Sequence, residues 1–132
     1  FVRVIRETNS VHRVLGASFY RKPLNLLRRK LPAMATSFAK PEAVMLLLRH
    51  AAGALALPPR PAGLTFQVPE YYGRLRVVSP RLIEDLHRRG IRIQVWTINE
   101  EPDMRRLLEM GVDGIMTDDP ARLIEVTEND FR

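Results

Sequence analysis

Residues 90–123 read GIRIQVWTINEEPDMRRLLEMGVDGIMTDDPARL, and the fold class turns on them. Ile91, Ile93 and Val95 alternate with Arg92, Gln94 and Trp96, the period-two pattern of a strand with two unlike faces. Met104, Leu107 and Leu108 then recur at helical spacing, and Gly111 supplies a stop. GIMTD, residues 114–118, is a second short apolar strand. Asp119 before Pro120 opens a last helix, with Leu123, Ile124 and Val126 expected on its inner side. Strands and helices alternating across turns of a few residues predict parallel strands with crossover helices.

Upstream, Ser79 before Pro80 marks another helix start, a hydroxyl cap ahead of a proline at the first helical position. Leu82, Ile83 and Leu86 form its inward stripe, and Gly90 ends it. Asn99 stands where it can cap the helix after the WTIN strand. The front half repeats the alternation less cleanly. RVLGASF (13–19) reads as a strand, residues 23–30 as a helix after Pro23, and AMATS (33–37) as a short strand. Residues 41–52 read as a helix, LTFQV (64–68) as a strand, and residues 1–8 as the tail of a helix. The proline-rich LPPRPAG (57–63) is a connection and not a domain boundary, because the same pattern lies on both sides.

The chain has 132 residues, enough for one domain with a buried core. It carries no cysteine, which excludes disulfides and thiolate metal sites and suits a cytoplasmic setting. No charged start followed by an apolar core and a cleavage site is visible after Phe1. The run AVMLLLRHAAGALAL (43–57) is broken by Arg49 and His50, short of the roughly 20 apolar residues of a membrane span. The net charge of +6 comes mostly from arginine, since Lys22, Lys30 and Lys40 are the only lysines. The arginines are scattered in pairs, Arg28-Arg29, Arg88-Arg89 and Arg105-Arg106, assigned to solvated helix faces. That scatter argues against a nucleic-acid interface, which gathers basic and aromatic residues on one face.

Five strands, each near a helix, fall short of the eight strands and typically about 250 residues of a closed (β/α) barrel. The expected fold is therefore α/β: a partial (β/α)8 barrel comprising the last five strands with their helices. Residues 1–132 would form the C-terminal portion of one domain, its first three strands absent. An open five-stranded sheet has the same periodicity.

Segment 90–123 closely resembles the C-terminal signature of glycerophosphodiester phosphodiesterases, TIM-barrel enzymes with a W-T-x-N strand end followed by G-V-D-G-I-x-T-D-x-P. Trp96, Thr97, Asn99, Gly111, Val112, Asp113, Gly114, Ile115, Thr117, Asp118 and Pro120 all match. VLGASF (14–19) is similar to an earlier strand of the family ending in Ser-Phe, with Pro32 at the next strand start, and FQVPEYYG (66–73) fits the segment before its penultimate helix. The resemblance implies hydrolysis of glycerophosphodiesters, such as glycerophosphocholine, to glycerol 3-phosphate and an alcohol. It also implies a divalent cation, calcium or magnesium, that polarises the phosphate, and two histidines as acid and base. The H-R-G, E-x-D and H-D motifs and a further glutamate that supply those groups belong to the family's first three strands, and none occurs in this sequence.

Phosphodiester cleavage needs charge stabilisation by the cation and proton transfer to the leaving oxygen. In a (β/α) barrel the groups responsible sit at the C-terminal ends of strands. His12 precedes a strand, while His50 and His87 fall in the last turns of helices, all expected at the opposite end. Of the carboxylates, Glu70, Asp118 and Asp119 lie near strand ends. Asp119 is expected to cap a helix and Asp113 to order the turn into the last strand. Asp118 and Asp119 would point to opposite faces if the strand ran through them. No catalytic or metal-ligating residue is therefore assigned. The candidate substrate-binding residues are Trp96 and Phe19 as pocket walls, with Ser18, Asn99 and Thr117 as hydrogen-bonding groups. Ordinary core packing is the plainer role for Trp96 and Phe19, and helix capping for Asn99.

As a separate molecule the chain is expected to be inactive, the C-terminal part of a phosphodiesterase. The alternative is a non-catalytic partial barrel that pairs with itself or another chain through exposed sheet edges.

Overall fold

The computed structural model describes residues 1–53 and 64–130; the proline-rich connection at 57–63 lies outside the described residues. The chain divides into two compact units, Phe1–Phe66 and Gln67–Arg132.

The first unit opens with helix α1 (Val2–Glu7), followed by strand β1 (Leu15–Gly16), helix α2 (Arg21–Lys30), strand β2 (Ala35–Thr36) and helix α3 (Lys40–Ala51). β1 and β2 pair in parallel, with Leu15 opposite Ala35 and Gly16 opposite Thr36. Ser37 bridges to Thr65 at the start of β3 (Thr65–Pro69), again in parallel, and Phe38 meets Phe66 edge to face at 5.9 Å. Ile5, Leu31 and Met34 form a buried cluster packed by Val2, Val11, Val14 and Leu27, which anchors α1. The expected strands at 13–19 and 33–37 are thus much shorter. Arg13 N–H closes a turn on the Ser10 carbonyl, and Lys40 N–H takes the Phe19 carbonyl, so both flanks are claimed by turns and helix starts.

Arg28 does not sit on a solvated face as the sequence pattern suggested. From α2 its guanidinium donates to Thr36 Oγ1 (3.1 Å), the Ser37 carbonyl (2.9 Å) and both carboxylate oxygens of Glu42 (2.9 and 3.1 Å). Glu42 is the third residue of α3 and also accepts the Ala39 N–H at 2.8 Å. Alanine has no side-chain oxygen to return the favour, so only this half of a capping box forms. Burial alone would raise the Glu42 carboxyl. The Arg28 hydrogen bond, the Ala39 N–H and the charges of Arg28 and Arg21 outweigh it and hold the group below the ordinary 4.5.

In the second unit β3 continues through Pro69 and is followed by the short strands β4 (Tyr71–Tyr72) and β5 (Leu75–Arg76), helix α4 (Pro80–His87) and strand β6 (Arg92–Trp96). Helix α5 (Glu101–Glu109), strand β7 (Gly114–Ile115) and helix α6 (Pro120–Asp130) complete it. The strand order is β3-β6-β7, and β6 and β7 pair in parallel through Gln94–Gly114 and Val95–Ile115. β6 alternates as its sequence demands: Ile93 and Val95 are fully buried against helices, while Gln94 and Trp96 on the other face are partly exposed. Gln94 Oε1 accepts from Gln67 Nε2 at 2.7 Å on that second face.

Leu82, Ile83 and Leu86 of α4 and Met104 and Leu107 of α5 are buried, and each such side chain contributes about 1.5–3 kcal/mol by leaving water. Ser79 Oγ caps α4 by accepting the Leu82 N–H, and the α4 and α5 segments end at Gly90 and Gly111, both with positive φ. Ile124 falls outside the expected inward stripe: it is 56% exposed, whereas Val126 is buried. Two residues apart on a helix is about 200°, so these two cannot share one face.

β4 and β5 form an antiparallel hairpin absent from the sequence expectation. Tyr71 lies opposite Arg76 and Tyr72 opposite Leu75, and the Val77 N–H closes the base on the Glu70 carbonyl at 2.8 Å. At the tip Gly73 has φ +61° and Arg74 is not among the positive-φ residues, the pattern of a type II′ turn that only glycine enters freely.

Candidate functional site

In the second unit, the C-terminal ends of β3 and β6 border an open pocket of about 540 Å³. Pro69, Glu70, Tyr71, Arg76, Trp96, Thr97, Ile98, Asp103 and Arg106 line it. Trp96 reaches it because it is the last residue of β6 and belongs to the face shared with Gln94. The Trp96–Thr97 peptide is cis.

The same lining contains an ion pair that sequence spacing did not reveal. Arg106 on α5 grips both oxygens of Glu70 at 2.9 Å and also donates to Asp103 at 2.7 Å. Glu70 is buried, 6% exposed, and both Arg106 and Arg76 face it, Arg76 at a looser 3.9 Å. The hydrogen bonds to Glu70 and Asp103 push the Arg106 guanidinium above its ordinary value. Arg106, assigned to a solvated face from its pairing with Arg105, is therefore a pocket residue. Thirty-six positions separate it from Glu70, and only the fold brings them together.

Asn99 is not the cap of α5. The cap position is Glu100, which makes no side-chain cap bond. Asn99 Oδ1 instead accepts from Thr117 Oγ1 (3.0 Å) and the Asp118 N–H (2.9 Å), and Nδ2 donates to Asp118 Oδ2 (3.0 Å). The Asn99 carbonyl accepts from Arg122, and the Asp119 N–H donates to Thr117 Oγ1. The carboxamide thus ties the loop after β6 to the loop after β7. Cross-linking two loops satisfies more groups than one helix N–H would. Asp119 caps α6 as expected, accepting the Arg122 N–H at 3.1 Å. β7 ends at Ile115, so no strand alternation reaches Asp118 and Asp119; they separate because Asn99 takes one and the helix start takes the other.

Trp96 therefore lines the pocket, whereas Asn99 and Thr117 meet each other and are not among its lining residues. Ser18 and Phe19 belong to the first unit. Ser18 Oγ accepts the Tyr20 N–H at 3.1 Å, and the Phe19 side chain is 65% exposed, which excludes a core role for it there. Glu70, Arg106, Tyr71 and Arg76 are pocket residues the sequence did not single out. The nearest signal was Glu70 at a strand end.

Among the described residues no three His, Asp or Glu side chains converge as a cation cluster. Glu70 spends both oxygens on Arg106, so the carboxylates of this pocket do not fit a divalent ion. In the second unit His87 Nε2 lies 2.7 Å from Asp113 Oδ2, which also accepts the Ile93 N–H at 2.8 Å. That arrangement fastens the turn into β7, the ordering role expected of Asp113. None of the described helices is long and apolar enough to cross a membrane.

Parallel strands carried by helices, with a pocket at the C-terminal strand ends, define an α/β architecture of the barrel type. The sequence profile of the Glycerophosphoryl diester phosphodiesterase family matches residues 1–122, and the chain belongs to that family. A probable glycerophosphodiester phosphodiesterase 2 of Mycobacterium tuberculosis is 32% identical over 89% of this chain and 46% of its own length. A glycerophosphodiester phosphodiesterase of Caldanaerobacter subterraneus is 41% identical over 37% of this chain and 20% of its own length. A putative glycerophosphoryl diester phosphodiesterase from Silicibacter pomeroyi superposes with a TM-score of 0.73 at 26% identity, covering 97% of this chain and 42% of that one. The chain thus spans less than half the length of these relatives. Its α/β architecture with parallel strands is part of the TIM-barrel fold of this family.

Proposed function

We propose that the chain is the C-terminal portion of a phosphoric diester hydrolase that cleaves glycerophosphodiesters to glycerol 3-phosphate and an alcohol, in lipid and glycerol metabolism. The observation that carries this is the family match over residues 1–122 together with Trp96 bordering a pocket at the strand ends. Trp96 serves as an apolar wall for the glycerol or alcohol group. Asn99 and Thr117 hold the neighbouring loops in the shape that wall requires. Ser18 and Phe19 stay assigned to the substrate on the family resemblance. The cation, calcium or magnesium, supplies charge stabilisation of the phosphate when bound; its ligands and the acid and base histidines lie in strands preceding Phe1. A cysteine-free composition supports a cytoplasmic setting.

On its own the 132-residue chain is inactive. The test is release of glycerol 3-phosphate from glycerophosphocholine, measured for this chain and for the same chain extended upstream through the H-R-G, E-x-D and H-D motifs. Only the extended protein should turn over, and Trp96→Ala in it should lower kcat/KM about tenfold, the equivalent of ~1.4 kcal/mol. Turnover by the short chain, or an upstream region without those motifs, would show the assignment wrong.

A second reading is a non-catalytic module that pairs with itself or another chain. It is favoured by β1 and β7, each at the end of its own sheet among the described residues. A stable monomer in sedimentation would count against it.

A further inference from the structure

We propose that the β4–β5 hairpin is a docking element for an anionic lipid surface, a property that does not depend on the chain's catalytic assignment. All six residues from Tyr71 to Arg76 are exposed, which is rare for a segment containing two tyrosines and a leucine. The pairing sorts them onto two faces. Tyr71 and Arg76 lie opposite each other and line the pocket. Tyr72 and Leu75 form the other cross-strand pair, 68% and 67% exposed, so their apolar surface serves neither the core nor the pocket.

Charge selects the occupant. The hairpin carries Arg74 and Arg76 and no acidic residue. The carboxylate at its base, Glu70, is buried, held by Arg106 on both oxygens and 3.9 Å from Arg76, which leaves Arg74 as the hairpin cation outside that pair. Arg74 makes no ion pair among the described residues. The whole chain adds a net charge of +6, which draws it toward negative surfaces at long range. A tyrosine and a leucine beside Arg74 at the hairpin tip suit the boundary of a bilayer: the ring and the isobutyl group enter the acyl margin while the guanidinium group meets a lipid phosphate. The type II′ tip holds the two strands together, so little conformational freedom is lost on docking.

The test is cosedimentation of the 132-residue chain with phosphatidylcholine vesicles, with and without added phosphatidylglycerol, at low and high salt. Binding is expected only to the anionic vesicles, weakening with salt. Arg74→Glu should weaken it at least about fivefold, and Tyr72→Ser with Leu75→Ser by a similar factor or more. Both variants are at exposed positions, and circular dichroism should show an unchanged fold. A control changing the exposed apolar residues of α3, Val44→Ser with Leu48→Ser, should bind as the parent does. Three results would overturn the proposal: no binding to anionic vesicles, hairpin variants that bind undiminished, or equal loss in the α3 control. A hairpin variant that abolishes self-association without affecting lipid binding would assign the face to a second copy of the chain instead.

Discussion

In the first unit Arg28 grips Glu42 at 2.9 and 3.1 Å; in the second Arg106 grips Glu70 at 2.9 Å twice. Both are forked pairs with a mostly buried carboxylate, yet their surroundings differ. Arg28 also holds the Thr36 hydroxyl and the Ser37 carbonyl, and Glu42 holds the start of α3, so that pair ties a strand end to two helices. Arg106 bonds carboxylates only, Glu70 and Asp103, and it borders the pocket. The same chemistry closes the fold in one place and furnishes a cavity wall in the other. Side-chain exposure follows that division: 20% for Arg28 against 38% for Arg106.

Breaking the two pairs should therefore cost different amounts. Glu42→Ala leaves a largely buried guanidinium without its counter-charge and should lower unfolding free energy by about 3 kcal/mol, read from the denaturant midpoint. Glu70→Ala leaves Arg106 free to turn toward Asp103 and water, with an expected loss of about 1 kcal/mol. Equal losses would mean that the pocket pair is as structural as the other. As a scale for the second unit, Asp119→Ala removes the cap of α6 and should cost about 1 kcal/mol by the same measurement. The smallest effect is acid-dependent. Because the Glu42 carboxyl lies below 4.5 in the folded chain, its contribution is present above that pH and fades as pH falls through the depressed value. The stability gap between the parent and Glu42→Gln should narrow on acidification below that range; a constant gap would remove the charge from the account.

The same contrast explains what could be read from sequence. β6, α4 and α5 follow local rules: alternation in 91–96, a Ser-Pro start at 79–80, stripes at 82, 83 and 86, and glycine stops at 90 and 111. Trp96 was legible as a strand-end residue for that reason. The first-unit strands shrank to two residues each because neighbouring turns and helix starts claimed backbone groups that the apolar pattern cannot show. The hairpin was missed because Tyr-Tyr-Gly-Arg-Leu-Arg is too short for a period and exposes every residue. The arginine pairs misled for a different reason. Arg28 and Arg106 have carboxylate partners 14 and 36 positions away, beyond any local signal. Asn99 carried a helix-cap signal, but a partner across the strands satisfied more of its groups.

Gln67, Gln94 and Gly114 stand on three neighbouring strands, with Gln94 in the middle: its amide oxygen accepts from Gln67 on one side, and its side chain lies against the bare Cα of the glycine on the other. A methyl group on Gly114 would come within 3.3 Å of Gln94 Cγ, tighter than an ordinary van der Waals contact. The glycine is thus a partner in the interaction by virtue of what it lacks. Alanine at 114 therefore requires the Gln94 side chain to shift by a few tenths of an ångström, and a residue without a Cγ at 94 would remove that requirement.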